Sequence, residues 1–187
     1  NVKDANLEEV LLALKSLDTV EAVALGGSRS TGASDENSDY DIYVYCAEIP
    51  TAETRENLLG KYCSIAEFGN HYWESEDNTV MNNGVPVDII YREVDRFGRY
   101  IDTVIKGGKA FNGYTTAFWH NIKNSKVLFD KTGTFTKFRD MAQIDFPENL
   151  RSAIIKNNRN LLNGKLPSYD RPVSYTHLRA HETSLHL

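Results

Sequence analysis

The sequence predicts an α/β (α+β) fold in which helices pack on a small mixed β-sheet. Three observations predict it. Apolar residues recur at helical spacing over Asn6–Leu17, whereas the residues of Asp39–Cys46 alternate with the period of two that is typical of a strand. The sequence Asn82-Asn83-Gly84 lies between two strand-like segments, and an Asn-Gly pair in that position favours a hairpin. The predicted order is helix, strand, strand, helix, strand, strand and then helices.

The first half of the chain contains no repeat and no low-complexity linker. Its predicted elements are, in order, an amphipathic helix over Asn6–Leu17, a buried strand over Val20–Leu25, a glycine turn, a polar loop over Ser30–Ser38, a strand over Asp39–Cys46 and a helix from Pro50 to about Tyr62. In the second strand, Asp39, Asp41, Tyr43 and Tyr45 face one side of the sheet. Tyr40, Ile42, Val44 and Cys46 face the other.

The second half is predicted to complete the sheet and then become mainly helical. The predicted elements are a hairpin of Thr79–Met81 and Val85–Tyr91, a helix from Val94 to Gly107, a helix over Tyr114–Asn124, a short strand or extended segment over Lys126–Phe129, a turn over Asp130–Gly133 and a helix from Pro147 to Gly164. We expect Trp119 to lie in the core and His120 at the surface.

Composition limits the function classes. The 187 residues carry a formal net charge of −5, whereas proteins that follow a nucleic-acid backbone carry a basic surface, so we expect no nucleic-acid partner. No apolar run is long enough to span a bilayer, and we expect no membrane segment. Cys46 and Cys63 lack the spacing of metal ligands, which predicts two reduced thiols in a cytoplasmic protein.

A candidate phosphate-binding turn follows the first strand as Gly26-Gly27-Ser28-Arg29. The two glycines allow a sharp bend and a close approach to phosphate, and Ser28 adds a hydroxyl and an N–H. Arg29 is either a phosphate ligand or a solvated surface residue. Ser38 either bonds a phosphate or caps the turn before the second strand.

Three aspartates form a candidate metal site. Asp39 and Asp41 lie about 7 Å apart on one strand face and repel each other unless a cation lies between them. Asp88 stands between Val87 and Ile89, where a carboxylate is costly without a compensating charge. Mg²⁺ prefers a few carboxylates together with phosphate and water, so these aspartates are candidate Mg²⁺ ligands.

These motifs, G-G-S-R, S-D-Y-D-I-Y-V-Y and V-P-V-D-I-I-Y, resemble the nucleotidyltransferase domain of the DNA polymerase β superfamily over about Val20–Tyr91. The resemblance implies two Mg²⁺ ions between these aspartates and a bound nucleoside triphosphate, with Asp39 and Asp41 holding both ions. It implies that Asp88 holds the metal at the acceptor hydroxyl and is a candidate to take its proton. It also implies that Gly26, Gly27, Ser28, Arg29 and Ser38 bind the nucleotide, with Ser28 at the β or γ phosphate.

The resemblance implies a transferase that moves a nucleoside monophosphate, most simply AMP from ATP, to a hydroxyl of a small molecule with release of pyrophosphate. One alternative is a protein acceptor, as in the minimal nucleotidyltransferases of toxin–antitoxin pairs, which G-S-R-S-T-G also resembles. A second alternative is an inactive nucleotide-binding regulatory module, although all three carboxylates are present. Tyr72, Trp73, Glu74, Glu76 and Asp77 either line an acceptor pocket or form a solvated acidic loop.

The domain organisation predicted from these patterns has three parts. Residues 1–108 form the catalytic domain, and residues 109–172 form a partial helical C-terminal region. Residues 173–187 begin with V-S-Y-T-H-L-R-A-H-E-T, which is similar to the in-frame translation of a transposase-type sequencing adapter. We therefore expect residues 173–187 to be an artefact, and we do not treat His177 and His181 as metal ligands.

Overall fold

The computed structural model describes residues 4–27, 39–72, 74–111 and 115–162, with side chains up to residue 159. Ser28, Arg29, Ser38 and residues 163–187 lie outside the described residues, and so do Trp73 and Tyr114. The described elements, renumbered along the chain, are α1 (Ala5–Lys15), β1 (Val20–Leu25), β2 (Tyr40–Cys46), α2 (Ala52–Leu59), β3 (Cys63–Asn70), β4 (Ser75–Met81), β5 (Pro86–Glu93), α3 (Val94–Ile105), α4 (Ala117–Asn124), β6 (Lys126–Asp130), α5 (Thr134–Ala142) and α6 (Glu148–Leu162).

The strands form one mixed sheet in the order β3-β4-β5-β2-β1-β6. β2 and β5 run parallel, and the other neighbouring strands run antiparallel. The predicted fold class, a mixed sheet with helices packed on it, is confirmed. β2 and β5 occupy the centre of the sheet, so their side chains are supported by neighbouring strands on both sides.

Two hydrophobic cores cover the two faces of this sheet. On one face, Tyr40, Ile42, Val44 and Cys46 of β2 pack in a core with Leu7 and other apolar residues of α1. On the other face, Tyr45 packs with residues of α3, α4, α5 and α6, and its ring centroid lies 5.5 Å from that of Phe97, 5.4 Å from Phe135 and 5.8 Å from Phe138. The alternating side chains of β2 therefore contribute to two separate cores. We call the side of the sheet that carries the second core the α3 face.

Local hydrogen bonds explain where several helices begin. The Asp4 carboxylate accepts from the N–H groups of Asn6 and Leu7 at the start of α1. Thr51 Oγ1 accepts from the Thr54 N–H at the start of α2. The Asp130 carboxylate accepts from the Phe135 and Thr136 N–H groups in the first turn of α5.

Several elements and boundaries differ from the sequence-based expectation. α2 ends at Leu59 and a short 3₁₀ turn follows to Tyr62, so the predicted helix is too long. β3 and α5 are not predicted from the sequence, and β4 begins at Ser75 rather than at Thr79. β3 is an edge strand that is largely exposed, so it lacks the apolar alternation that identifies a half-buried strand.

The segment after residue 108 contributes to the sheet as well as to the helices. β6 lies in it and pairs antiparallel with β1, where Leu25 lies opposite Lys126. The division of the chain at residue 108 stays a prediction. Within the described ranges, no helix is both long and apolar enough to cross a membrane. Cys46 and Cys63 are both free.

Candidate active site

Two of the three predicted metal-binding aspartates lie side by side on the two central strands. In the parallel pairing of β2 with β5, Asp41 stands directly opposite Asp88. Neighbouring strands are about 4.8 Å apart, and paired residues in register project from the same face of a sheet. Asp39 comes immediately before β2, two residues from Asp41. The parallel pairing therefore brings together two carboxylates that are 47 positions apart in the sequence.

The electrostatics of Asp41 show that the three aspartates interact. Burial, followed by the negative charges of Asp88 and Asp39, raises the pKa of Asp41 from 3.8 to about 6. Each of these causes disfavours the ionised carboxylate. In the absence of a cation the ionised form of Asp41 is therefore costly to the folded protein, and a cation bound between the carboxylates would remove that cost.

The glycine turn packs directly against Asp41. The Gly26 N–H donates to the backbone carbonyl of Asp41 over 2.8 Å. Gly27 has a φ of +62°, and a Cβ atom added there would overlap the Asp41 carboxylate. A Cβ atom at Gly26 would overlap the ring of Tyr43. Glycine is therefore required at both positions, and the start of the predicted phosphate-binding turn lies against the predicted metal ligand.

The donor set fits magnesium chemistry, although it is not a complete cage. Within the described part of the chain, no group of three or more His, Cys, Asp or Glu side chains is arranged to hold a metal ion. Asp41 and Asp88 instead present two neighbouring carboxylates. Mg²⁺ is commonly held by one or two carboxylates, with substrate phosphates and water as the other ligands. The residues present therefore suit a metal ion whose remaining ligands are nucleotide phosphates and water.

Two asparagines next to Asp88 were not found by sequence reasoning. The Asn78 side-chain amide donates to Asp88 Oδ1 over 2.9 Å, and the Asn70 amide donates to Asn78 Oδ1 over 2.6 Å. Asn78 lies opposite Asp88 in the antiparallel pairing of β4 with β5. Counting outward from the Asn-Gly turn gives this register, so the hairpin was the signal that could have identified Asn78.

A buried arginine organises the α3 face below the aspartates. Arg92 donates to both carboxylate oxygens of Glu74 at 2.8 Å and to the Tyr45 hydroxyl at 3.2 Å. Its guanidinium lies 4.5 Å from the ring centroid of Tyr43, whose hydroxyl accepts from the Asn121 amide over 3.0 Å. Tyr43 thus lies between the glycine turn and the Arg92 guanidinium, whereas the Tyr45 ring is part of the hydrophobic core.

Two residues of the acidic stretch Glu74–Asp77 form ion pairs within the fold, and Glu76 and Asp77 belong to β4 rather than to a solvated loop. A role of this stretch in an acceptor pocket stays a prediction. Glu74 is paired with Arg92, and Asp77 is fully buried in an ion pair with Arg55 at 3.3 Å. Asp77 alternates with Asn78 along β4, so it lies on the face of the sheet opposite Asp88. These acids hold the hairpin in place. Tyr72 is 59% exposed, and Trp73 lies outside the described residues.

Trp119 and His120 separate as expected into core and surface. The Trp119 indole N–H donates to the Ala142 carbonyl over 2.8 Å, and its ring stacks on Phe146 with centroids 5.3 Å apart. His120 is exposed, and its ring contacts Asn124 one turn along α4. Trp119 thus joins α4 to the end of α5 and to Phe146, and the described contact of His120 lies within α4.

A glycine turn packed against one of two paired aspartates on a mixed sheet is the geometry that the sequence resemblance to nucleotidyltransferases leads one to expect. The family model described as "Nucleotidyltransferase domain" matches residues 7–111, more than half of the 187 residues. The chain belongs to this family and is a nucleotidyltransferase. The match includes Asp39, Asp41, Asp88 and the glycine turn.

Similarity to solved structures is distant. A crystal structure of a toxin–antitoxin with AMP-PNP has 14% sequence identity and a TM-score of 0.46, with coverage of 86% of this chain and 98% of that one. A mutant of the toxin–antitoxin MntA-HpeT has 12% identity and a TM-score of 0.45, with coverage of 88% and 100%. No curated protein sequence matches the chain. Family membership rests on the sequence match over residues 7–111.

Proposed function

We propose that this nucleotidyltransferase moves a nucleoside monophosphate, most simply AMP from ATP, to a hydroxyl group of a small-molecule acceptor in a Mg²⁺-dependent reaction. The observation that carries the proposal is the pairing of Asp41 with Asp88 beside a glycine turn that contacts the Asp41 carboxylate. The raised pKa of Asp41 supports it, because the site favours the arrival of positive charge.

In this proposal Asp39, Asp41 and Asp88 would hold two Mg²⁺ ions, which would neutralise the triphosphate charge and orient the reacting oxygens. Gly26 and Gly27 would bring backbone close to the phosphates. Ser28, Arg29 and Ser38 remain proposed nucleotide ligands on the strength of the sequence motif. A bound metal would favour the ionised form of Asp41, whose carboxylate oxygens could then coordinate it.

The proposed reaction is a single displacement at the α-phosphorus. A bond forms between the acceptor oxygen and the α-phosphorus, and the bond from the α-phosphorus to the bridging oxygen breaks, so that pyrophosphate leaves with the electron pair. Asp88 is the proposed acceptor of the hydroxyl proton. A carboxylate can serve as a general base here if it lies within hydrogen-bond reach of the acceptor hydroxyl.

The chain beyond β5 supports a small-molecule acceptor. Helices α3 to α6 pack on the same face of the sheet as the aspartates, which provides additional surface that can enclose an acceptor. The two free cysteines are consistent with the reducing cytoplasm, where we place the protein. A protein acceptor and a nucleotide-binding module without turnover are outcomes that the following experiment separates.

The test uses α-labelled ATP, GTP, CTP and UTP with Mg²⁺, a panel of hydroxyl-bearing small molecules and a set of candidate proteins. Wild type and Asp41→Asn are compared, with Asp140→Asn as the matched control because Asp140 is an exposed aspartate on α5. Label and pyrophosphate release with a small molecule, present in wild type and control but lost by orders of magnitude in Asp41→Asn, would support the proposal. Label on protein would favour the protein acceptor. Tight nucleotide binding without any transfer would favour the regulatory module.

A further inference from the structure

A chain of side-chain amides extends the row of carboxylates across the sheet. Asp41 on β2 stands opposite Asp88 on β5, and Asp88 stands opposite Asn78 on β4. The Asn78 amide donates to Asp88 Oδ1 over 2.9 Å, and the Asn70 amide on β3 donates to Asn78 Oδ1 over 2.6 Å. Four polar side chains therefore follow one another from the centre of the sheet to its edge.

The chemistry of the groups fixes the direction of these hydrogen bonds. An ionised carboxylate only accepts hydrogen bonds, so the nitrogen of Asn78 and not its oxygen must face Asp88. The Asn78 oxygen then points away from Asp88 and accepts from Asn70. The orientation of each asparagine amide is thus set by its neighbour, although the two ends of an amide look alike to most experiments.

We propose that Asn78 is a positioning residue for metal binding and that Asn70 holds Asn78 in the required orientation. This inference rests on the proposed function, since it concerns the carboxylate of Asp88 as a metal ligand. A donor on Oδ1 restricts rotation of the Asp88 carboxylate about its last side-chain bond. It thereby keeps that carboxylate aligned with Asp41 before a metal arrives.

The neighbouring residue Thr79 allows the positioning role to be separated from a merely structural one. Thr79 follows Asn78 on β4, is buried on the other face, and its hydroxyl donates to the Val87 carbonyl over 2.8 Å. Thr79→Val removes a hydrogen bond from the same hairpin without touching Asp88. If Asn78 only holds the hairpin together, the Asn78 and Thr79 variants should show similar losses of metal affinity.

The experiment measures binding of Mn²⁺ alone, which accepts the same oxygen ligands as Mg²⁺, by water-proton relaxation or calorimetry on the full chain. We expect Asn78→Leu to weaken Mn²⁺ binding by about 10- to 100-fold, the usual effect of losing a group that orients a metal ligand. Asn70→Leu should give a smaller loss in the same direction, and it replaces Asn78→Leu as the test if that variant does not fold. Thr79→Val should bind Mn²⁺ like wild type.

Transfer kinetics provide the second readout. With Asp41 and the glycine turn intact, Asn78→Leu should lower kcat while leaving KM for ATP close to the wild-type value. Variants at Asn78 and Asn70 that bind Mn²⁺ as tightly as an active wild type would overturn the positioning role and leave the proposed function standing. A loss in Thr79→Val equal to that in Asn78→Leu would also overturn it. A wild-type chain that neither binds Mn²⁺ nor transfers nucleotide would overturn the proposed function and this inference together.

Discussion

Replacing Asp41 by asparagine should stabilise the metal-free protein at neutral pH while it abolishes transfer. The substitution keeps the size and shape of the side chain but removes a negative charge that burial, Asp88 and Asp39 all disfavour. Raising the pKa of a carboxyl from 3.8 to about 6 corresponds to about 3 kcal/mol of folding free energy once the group is ionised in both states. Asp41→Asn should recover up to that amount.

The pH dependence follows from the direction of the shift. Because the pKa of Asp41 is higher in the folded than in the unfolded chain, its contribution to stability is complete below about pH 4 and is lost as the pH rises to about 6. Asparagine does not titrate. The difference in unfolding free energy between variant and wild type should therefore be small at about pH 4, grow through about pH 5, and level off near 3 kcal/mol above about pH 6.5.

Urea denaturation in EDTA across this pH range measures that difference directly. Asp140→Asn is the control, since an exposed substitution should change stability by less than about 0.5 kcal/mol. Adding Mg²⁺ should stabilise wild type more than Asp41→Asn, because only the folded wild type offers both carboxylates. A variant that is less stable than wild type in EDTA at neutral pH, or a difference that does not vary with pH, would refute the account of Asp41 given above.

Three further predictions test the surroundings of the site. Gly27→Ala should destabilise the protein by more than about 1 kcal/mol and weaken nucleotide binding, because the new methyl group would overlap the Asp41 carboxylate at a φ of +62°; denaturation and equilibrium dialysis would detect both effects, and an unchanged affinity would contradict the close packing. Glu74→Gln should cost about 3–5 kcal/mol because it leaves the buried Arg92 without its counter-charge; its control in the same denaturation assay is Glu148→Gln, which breaks the exposed ion pair with Arg151 and should cost less than about 1 kcal/mol. Deleting residues 173–187 should leave the Tm unchanged if that segment is adapter-derived, whereas unfolding on deletion would show that it is native.

The strands that carry the site could be predicted because burial on both faces leaves a pattern in the sequence. In β2 the residues Ile42 and Val44 enter one core, whereas the alternating residues Tyr43 and Tyr45 belong to the other. The Asn-Gly turn identified the hairpin that carries Asp88. The pairing of Asp41 with Asp88 is a different matter, since a parallel contact between distant strands depends on the whole sheet and leaves no local signal.

The elements missed were those whose sequence pattern is weak or whose role depends on register. β3 is exposed at the sheet edge, so its residues are not constrained to alternate. α5 does carry Phe135, Phe138 and Ala142 at helical spacing, and all three are buried, so this signal was present in the sequence. Asn78 could be recognised as a partner of Asp88 only after the hairpin register was counted.

The charged groups in the centre of the molecule are compensated in two different ways. On one face of the sheet Asp77 is buried against Arg55 at 3.3 Å and accepts from the Gly69 N–H at 2.9 Å. On the other face, Arg92 is bound by Glu74. Each of these charges has a counter-charge within the fold, and removal of Asp77 or Glu74 would leave a buried arginine without one.

The charge of Asp41 has a different environment from the charges in these ion pairs. Burial raises the pKa of Asp41, and the negative charges of Asp88 and Asp39 raise it further. Among the described residues, the neighbours of Asp41 are a second carboxylate, that of Asp88, and the glycines Gly26 and Gly27. That arrangement lowers the stability of the metal-free protein and provides a strong electrostatic attraction for a cation. The unfavourable negative charge of Asp41 in the metal-free protein is therefore the property that the proposed metal-dependent transfer would use. Denaturation of Asp41→Asn in EDTA measures the cost of that charge, and it requires no knowledge of the acceptor.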